Sequence, residues 1–309
     1  MKVLFVSSGN SIEWISPIIK NQAESLIHQG IQLYFFTIRG RGVKGYLKAI
    51  IALKKHLKHK KYDVVHAHYS LSGYVASFAG AKPLVVSLMG SDVKVKSYSR
   101  FVIELFNLFF WSKILVKSKD MKRTIDLKEA LIIPNGVNFN EFKTIDKNIA
   151  LKKTNWDSTK KHILFAANPN RPEKNFKLGK EAFDLLDSNE IELHYLENIP
   201  NNKMINYYNS SDVVLLTSLW EGSPNVIKEA MACNIPIVST DVGDVKEVIG
   251  NTRGCYLTKN DPENISVKIK EALNFNGKTT GSCNIKYLDS KVIASKIIKI
   301  YSSILKNKL

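Results

Sequence analysis

Residues 217–230, TSLWEGSPNVIKEA, place two glutamates, Glu221 and Glu229, eight positions apart around a loop that turns into a helix. Pro224 fits the first helical turn, where its missing N–H costs nothing, and Ser223 can cap the free donors. Glu221 then stands on the lip of the loop and Glu229 about one and a half turns inside. A helix N-terminus with carboxylates on both sides is a place to hold a polyhydroxylated, phosphorylated ligand. Spacing alone does not select this pair. The chain has 15 glutamates and two more such pairs, Glu173/Glu181 and Glu263/Glu271, which read as solvated helix faces. Only Glu221/Glu229 lies between two apolar runs, at 213–216 and 235–238.

Other reactive side chains also follow apolar runs. Arg171 and Lys174, three apart, can straddle a diphosphate, the guanidinium bidentate and the ammonium as a point charge. Gly243 and Asp244 form a second turn able to offer backbone N–H groups to an anion, or a plain turn between strand and helix. His68 ends an apolar run and can serve as base or hydrogen-bond donor. His66 is read as facing the opposite side of that strand and receives no role. Glu229 can accept two hydrogen bonds from the vicinal hydroxyls of a ribose, and Glu221 can hold hydroxyls of a sugar.

The elements that must position these groups alternate apolar runs with amphipathic segments, the pattern of parallel sheets flanked by helices. Strands are expected at 2–7, 31–38, 63–67, 83–88, 114–117 and 131–133. A second series is expected at 163–167, 191–196, 213–217, 235–240 and 255–257. Helices are expected at 16–30, stopped by Gly30, and at 44–61, with Leu47, Ile50, Ile51, Lys54 and Leu57 at helical spacing. The polar, lysine-rich stretch 142–161 reads as a linker. The expected organisation is α/β, with a doubly wound domain at 1–150, a second at 151–289 and a terminal amphipathic helix at 290–309 packing back toward the first. Ligands of such sheets bind beyond the carboxyl ends of the strands. The residues to read for chemistry are therefore Gly9, His68, Asp92, the 168–175 loop, Glu221 to Ser223, and Gly243 with Asp244.

With 309 residues and 44% hydrophobic content, the chain is large enough for two cores. No apolar stretch is long enough to span a bilayer, and the first residues read as a strand rather than a signal peptide, so a cytoplasmic protein is expected. Cys233, Cys255 and Cys283 lack zinc-ribbon spacing and give no disulfide framework. The net charge of +17 is uneven: residues 1–150 hold 23 basic and 10 acidic side chains, residues 151–309 hold 22 and 18. The basic half should face an anionic partner such as a membrane surface, a lipid phosphate or nucleic acid. The aromatic-rich segment 97–112 reads mostly as core, with part of its surface able to rest on a bilayer.

On these residues the chain resembles a family 4 glycosyltransferase of the GT-B fold over essentially its full length. The resemblance is carried by Glu221-Gly222-Ser223-Pro224 through Glu229, by the 239–244 loop and by residues 171–175. Weaker matches are residues 134–137, Gly90-Ser91-Asp92, and His66 to Tyr69. It implies two Rossmann-like domains facing a cleft and a nucleotide-diphosphate sugar as donor, with a UDP-sugar the first expectation. Glu229 would bind the ribose, Arg171 and Lys174 the diphosphate. Glu221, Gly222, Pro224 and the amides of Ser223, Asn225 and Val226 would hold the donor sugar, and Gly9 would let the backbone approach the phosphates. The resemblance further implies a retaining reaction without a cofactor or metal, in line with the lack of an Asp-x-Asp and of metal-ligand spacing.

Two departures stand out. Met89 occupies a position where relatives carry His, which moves acceptor-side weight to His68 and Asp92, beside Glu221 as catalytic candidates. Arg171 also stands closer to Lys174 than the family's phosphate-binding Arg does. The expected protein transfers a sugar to a lipid-linked or oligosaccharide acceptor during bacterial surface polysaccharide synthesis, peripheral on the inner face of the membrane. A GT-B epimerase or hydrolase of sugar nucleotides is the alternative. Nucleic-acid binding is disfavoured, because charge alone supports it and no recognised motif accompanies the charge.

Overall fold

A computed structural model describes residues 1–10, 14–40, 42–94, 97–197, 199–275 and 277–306. The chain divides into two compact units, residues 1–136 with 290–309, and residues 137–289.

The first unit runs β1 (Lys2–Ser8), α1 (Pro17–Ile27), β2 (Gln32–Ile38), α2 (Gly42–His59), β3 (Val64–His68) and α3 (Ser70–Phe78). It continues with β4 (Leu84–Ser87), α4 (Ser91–Lys94), α5 (Ser97–Phe109), β5 (Lys113–Val116), α6 (Lys119–Ile125) and β6 (Leu131–Ile132). Its six strands are all parallel in the order β2-β1-β3-β4-β5-β6. The central strands are largely apolar, as a sheet covered on both faces requires: Val3 to Val6, Val64, Val65 and Leu84 to Val86 are buried, and His66 and His68 of β3 and Ser87 of β4 are buried polar groups among them.

The second unit runs α7 (Lys147–Thr154), β7 (Lys161–Phe165), α8 (Phe176–Asp184), β8 (Ile191–Tyr195), α9 (Met204–Ser210) and β9 (Val213–Leu216). It closes with α10 (Asn225–Ala232), β10 (Ile237–Thr240), α11 (Val245–Ile249), β11 (Cys255–Thr258), α12 (Pro262–Leu273) and α13 (Gly281–Asn284). Its five parallel strands are ordered β11-β10-β9-β7-β8. In each sheet the winding reverses beside the first strand, between β1 and β3 and between β7 and β9. Such switch points open a crevice beyond the strand ends where ligands bind.

The last helix, α14 (Ser290–Lys306), belongs to the first unit and buries Ile293, Ala294, Ile297 and Tyr301. Gly136 has no room for a side chain there, since a Cβ would lie 2.6 Å from the Cα of Ser290.

Three expectations are corrected. The units part at residue 136 rather than 150, and the presumed linker is folded into the second unit. Within it Asp146 caps α7 by accepting from the Ile149 amide, while Phe142, Ala150 and Leu151 are buried. Its lysine-rich look comes from the solvent face alone. On α2 the buried stripe is Gly45, Ala49 and Leu53, whereas Val43, Leu47 and Ile51 point outward. Small residues were chosen for the contact, and Gly45 meets the Gly40 backbone where a Cβ would sit at 2.8 Å. In the 97–112 segment Phe106 and Trp111 are core, but Phe101 and Phe109 are more than three-fifths exposed.

Recounted by unit, the charge asymmetry sharpens. The first unit holds 26 Lys and Arg against 8 Asp and Glu, and the second 19 against 20. Among the described residues no helix is long and apolar enough to cross a membrane.

Candidate functional site

The loops after β7, β9 and β10 are tied into one rim. The Leu219 amide donates to the Glu173 carbonyl at 2.9 Å, and the Thr217 hydroxyl to the carbonyls of Lys174 and Asn175 at 3.2 and 2.9 Å. The Thr240 hydroxyl donates to the Ser218 carbonyl at 2.8 Å. Gly243, at φ +64°, packs its Cα against the Glu221 and Gly222 carbonyls, a position that a Cβ would crowd at 3.0 Å. These bonds fix Lys174, Glu221 and the start of α10 around the switch point of the second sheet.

Lys174 and Glu221 meet there as an ion pair, with side chains only 10% and 14% exposed. The same Glu221 oxygen accepts from the Ser218 hydroxyl at 2.8 Å. Arg171 behaves differently. Its side chain is 57% exposed and its Nε donates to Glu173 at 2.7 Å, so the structure joins Lys174 to the rim and leaves Arg171 at its solvent edge.

Ser223 does not cap α10. Pro224 is the cap residue, ahead of Asn225 and Val226, and makes no side-chain cap bond. The Ser223 hydroxyl instead donates to Asp244 Oδ2 at 2.7 Å and accepts from Lys228, whose ammonium lies 3.3 Å from the same carboxylate oxygen. All three side chains are buried. Burial pulls the Lys228 ammonium down from its usual range, and Asp244 acts to raise it. Lysine inside a helix reads as a surface residue in sequence, so this lock on the Gly222–Ser223 turn was missed. The apolar neighbours Ile227, Ala230 and Met231 were the signal that the whole helix is interior.

Glu229, in the second turn of α10, accepts from the Tyr208 hydroxyl at 2.7 Å through Oε2. Burial pushes its carboxyl up to about 7, opposed by the Tyr208 hydrogen bond; Glu141 adds to the rise and Lys228 lowers it. The group thus titrates in the physiological range, and its ionised form is the better acceptor for two hydroxyls.

In the first unit His68 ends β3 at the switch point, is 2% exposed, and has no hydrogen-bond partner on either ring nitrogen among the described residues. Burial, His66 and Lys117 hold it well below the usual imidazole range, so it is neutral. His66 lies on the same face, not the opposite one, with the rings stacked at 4.4 Å, because residues i and i+2 of a strand share a side. His66 bonds Tyr301 at 2.5 Å and Ser87 at 2.8 Å, a structural role. Asp92 spends both oxygens on backbone amides, of Ser70 at 3.0 Å, Met89 at 3.0 Å and Gly90 at 2.9 Å. That makes it the clasp of the 89–92 turn. Tyr69, next to His68, carries φ +83°, a strained value for a bulky side chain. Gly9 is explained locally, since a Cβ there would meet Thr37 Cβ at 2.7 Å.

The fold is that of a two-unit protein with a doubly wound parallel sheet in each unit, and the rim lies at the switch point of the second sheet. Residues 5–118 match the family model described as glycosyl transferase 4-like, and residues 188–281 the one described as glycosyl transferases group 1. The chain therefore belongs to these glycosyltransferases, with the GT-B fold.

It is 26% identical to TuaC of Bacillus subtilis strain 168, a protein assigned to teichuronic acid biosynthesis as a glycosyltransferase. That match covers 72% of this chain and 66% of the relative. It is 23% identical to the Escherichia coli UDP-Gal:alpha-D-GlcNAc-diphosphoundecaprenol alpha-1,3-galactosyltransferase, over 85% of this chain and 74% of the relative. Among solved structures, Anabaena HepE in complex with UDP superposes with a TM-score of 0.75 at 16% identity, covering 98% of this chain and all of that one.

Proposed function

We propose that this protein transfers a sugar from a nucleotide-diphosphate donor, a UDP-sugar first, to a lipid-linked or oligosaccharide acceptor in bacterial surface polysaccharide synthesis. The observation that carries the reading is the convergence of Lys174, Glu221 and the α10 N-terminus, with Glu229 behind it, on one switch point. Glu229 takes the ribose hydroxyls, Lys174 the diphosphate, and Glu221 with the amides of residues 223–226 the donor sugar. Arg171 reaches the diphosphate from the solvent edge. The UDP-bound neighbour and the UDP-Gal-using relative support uridine as the base.

Breaking the glycosidic bond builds positive charge on the sugar and negative charge on the leaving diphosphate. The Lys174 ammonium and the positive end of α10 are preorganised to receive that negative charge. Glu221 holds the ammonium in place and faces the sugar. No protein nucleophile is required, and the acceptor hydroxyl attacks on the face that the diphosphate leaves, with retention and without a metal ion. His68, held neutral by its burial, is the acceptor-side candidate to hydrogen-bond the attacking hydroxyl, and Asp92 holds the turn beside it. The first unit, with its excess of 18 positive charges and outward Val43, Leu47 and Ile51 among lysines on α2, rests on the anionic inner face of the membrane.

The test is transfer of radiolabelled sugar from UDP-sugars to undecaprenol-linked saccharides in anionic vesicles. Label in the lipid fraction supports the reading. Free sugar or an epimer formed equally well without acceptor supports the hydrolase or epimerase instead. Sedimentation with vesicles checks the membrane part: Leu47→Ser with Ile51→Ser should weaken binding, and unchanged binding would remove it.

A further inference from the structure

A cluster the sequence did not announce lies on the second sheet, at the opposite end of β7 from the donor rim. Parallel pairing sets His162 of β7 opposite Glu192 of the edge strand β8, and His194 follows two residues on, on the same face as Glu192. His162 Nδ1 is 3.0 Å from His194 Nε2 and 3.7 Å from Glu192 Oε2, which is 3.4 Å from His194 Nε2. Donor atoms around a tetrahedral zinc at about 2.0–2.1 Å lie about 3.3 Å apart, so this triangle has the dimensions of one face of such a tetrahedron.

The groups around the cluster hold its ligands in binding form. His162 Nε2 is 2.8 Å from the Asp157 carbonyl, which can only accept, so the ring proton sits there and the Nδ1 lone pair faces the cluster. Lys160 donates to the far oxygen of Glu192, Oε1, at 2.7 Å and leaves Oε2 turned inward. The indole of Trp156 stacks on His194 at 3.7 Å and fixes its plane. His162 is fully buried, while Glu192 and His194 are 32% and 19% exposed, which gives an ion a path in and a fourth position for water.

We propose that His162, Glu192 and His194 form a binding site for a first-row transition-metal ion, zinc foremost. Two imidazoles and one carboxylate suit zinc over calcium or magnesium, which prefer all-oxygen sets. The ion ties edge strand β8 to β7 and to the turn at Asp157, and so stabilises the second unit apart from the sugar chemistry.

The test uses the full chain, stripped with chelator and titrated with cobalt(II) and zinc(II). One equivalent of cobalt should bind with the intense visible absorption of a four-coordinate ion, zinc should displace it, and the melting midpoint should rise with zinc concentration. His194→Ala should abolish both signals and Glu192→Gln should weaken binding at least tenfold, with circular dichroism showing that each is folded. His59→Ala, on exposed α2, should leave them unchanged. Binding below one equivalent in the parent protein, or a titration unaltered by His194→Ala or Glu192→Gln, would overturn the proposal.

Discussion

Replacing Tyr208 by Phe removes one hydroxyl and leaves the buried ring, which makes it a clean probe of Glu229. The hydroxyl donates to Glu229 Oε2 at 2.7 Å, and Tyr208 is fully buried. A hydrogen bond to a charged group is worth about 1.5–3 kcal/mol, which moves a titration by about one to two pH units. Burial already holds Glu229 at about 7, so at pH 7 about half of it is ionised. In Tyr208→Phe the ionised share falls to between about a tenth and a hundredth, and ribose binding that needs the carboxylate should weaken about 5- to 50-fold.

Calorimetric titration with UDP between about pH 5.5 and 9 reads the effect, with Glu229→Gln reporting what the nucleotide's own phosphate contributes. The parent affinity should rise with pH through about 7, and the variant's rise should come later. Stability should move the other way. A carboxyl raised from 4.5 to about 7 contributes stability that is fully present below 4.5 and lost as pH climbs through 7. That loss is about 3 kcal/mol in full and absent from Glu229→Gln. Identical pH profiles for the parent and Tyr208→Phe would refute the reasoning.

Lys228→Met should cost about 3–5 kcal/mol in denaturant unfolding, because Asp244 is left charged and buried; Asp244→Asn added to it should cost less than the sum of the two. Asp92→Ala strips the acceptor from three backbone amides and should lose about 2–5 kcal/mol by thermal melting. Gly136→Ala forces a methyl to 2.6 Å from the Ser290 backbone and should cost about 1–3 kcal/mol of stability in denaturant unfolding, with UDP affinity unchanged.

The alternation of apolar runs and amphipathic segments was enough to find eleven strands, most within two residues of their ends, because parallel strands covered on both faces are largely apolar. Sheet order was not legible. Nothing local in residues 161–165 says that β7 lies between β8 and β9, yet that order makes the switch point and also assembles His162, Glu192 and His194. Periodicity misled on α2, where Leu47 and Ile51 keep helical spacing but the sheet side belongs to Gly45 and Ala49. At the rim of the second sheet, the positions of Glu221, Lys174 and Glu229 beyond the strand ends were readable from residue type and loop position. The buried Lys228–Ser223–Asp244 lock depends on residues 21 apart meeting in space, and a lysine's burial is invisible until its partner is known.

The central claim is that the α10 rim holds a nucleoside diphosphate, and direct calorimetry with UDP, GDP, ADP and CDP tests it, with Glu229→Ala alongside. One diphosphate, UDP foremost, should bind at one equivalent and weaken at least tenfold in the variant. Binding of none of the four, or equal binding by Glu229→Ala, would contradict the account.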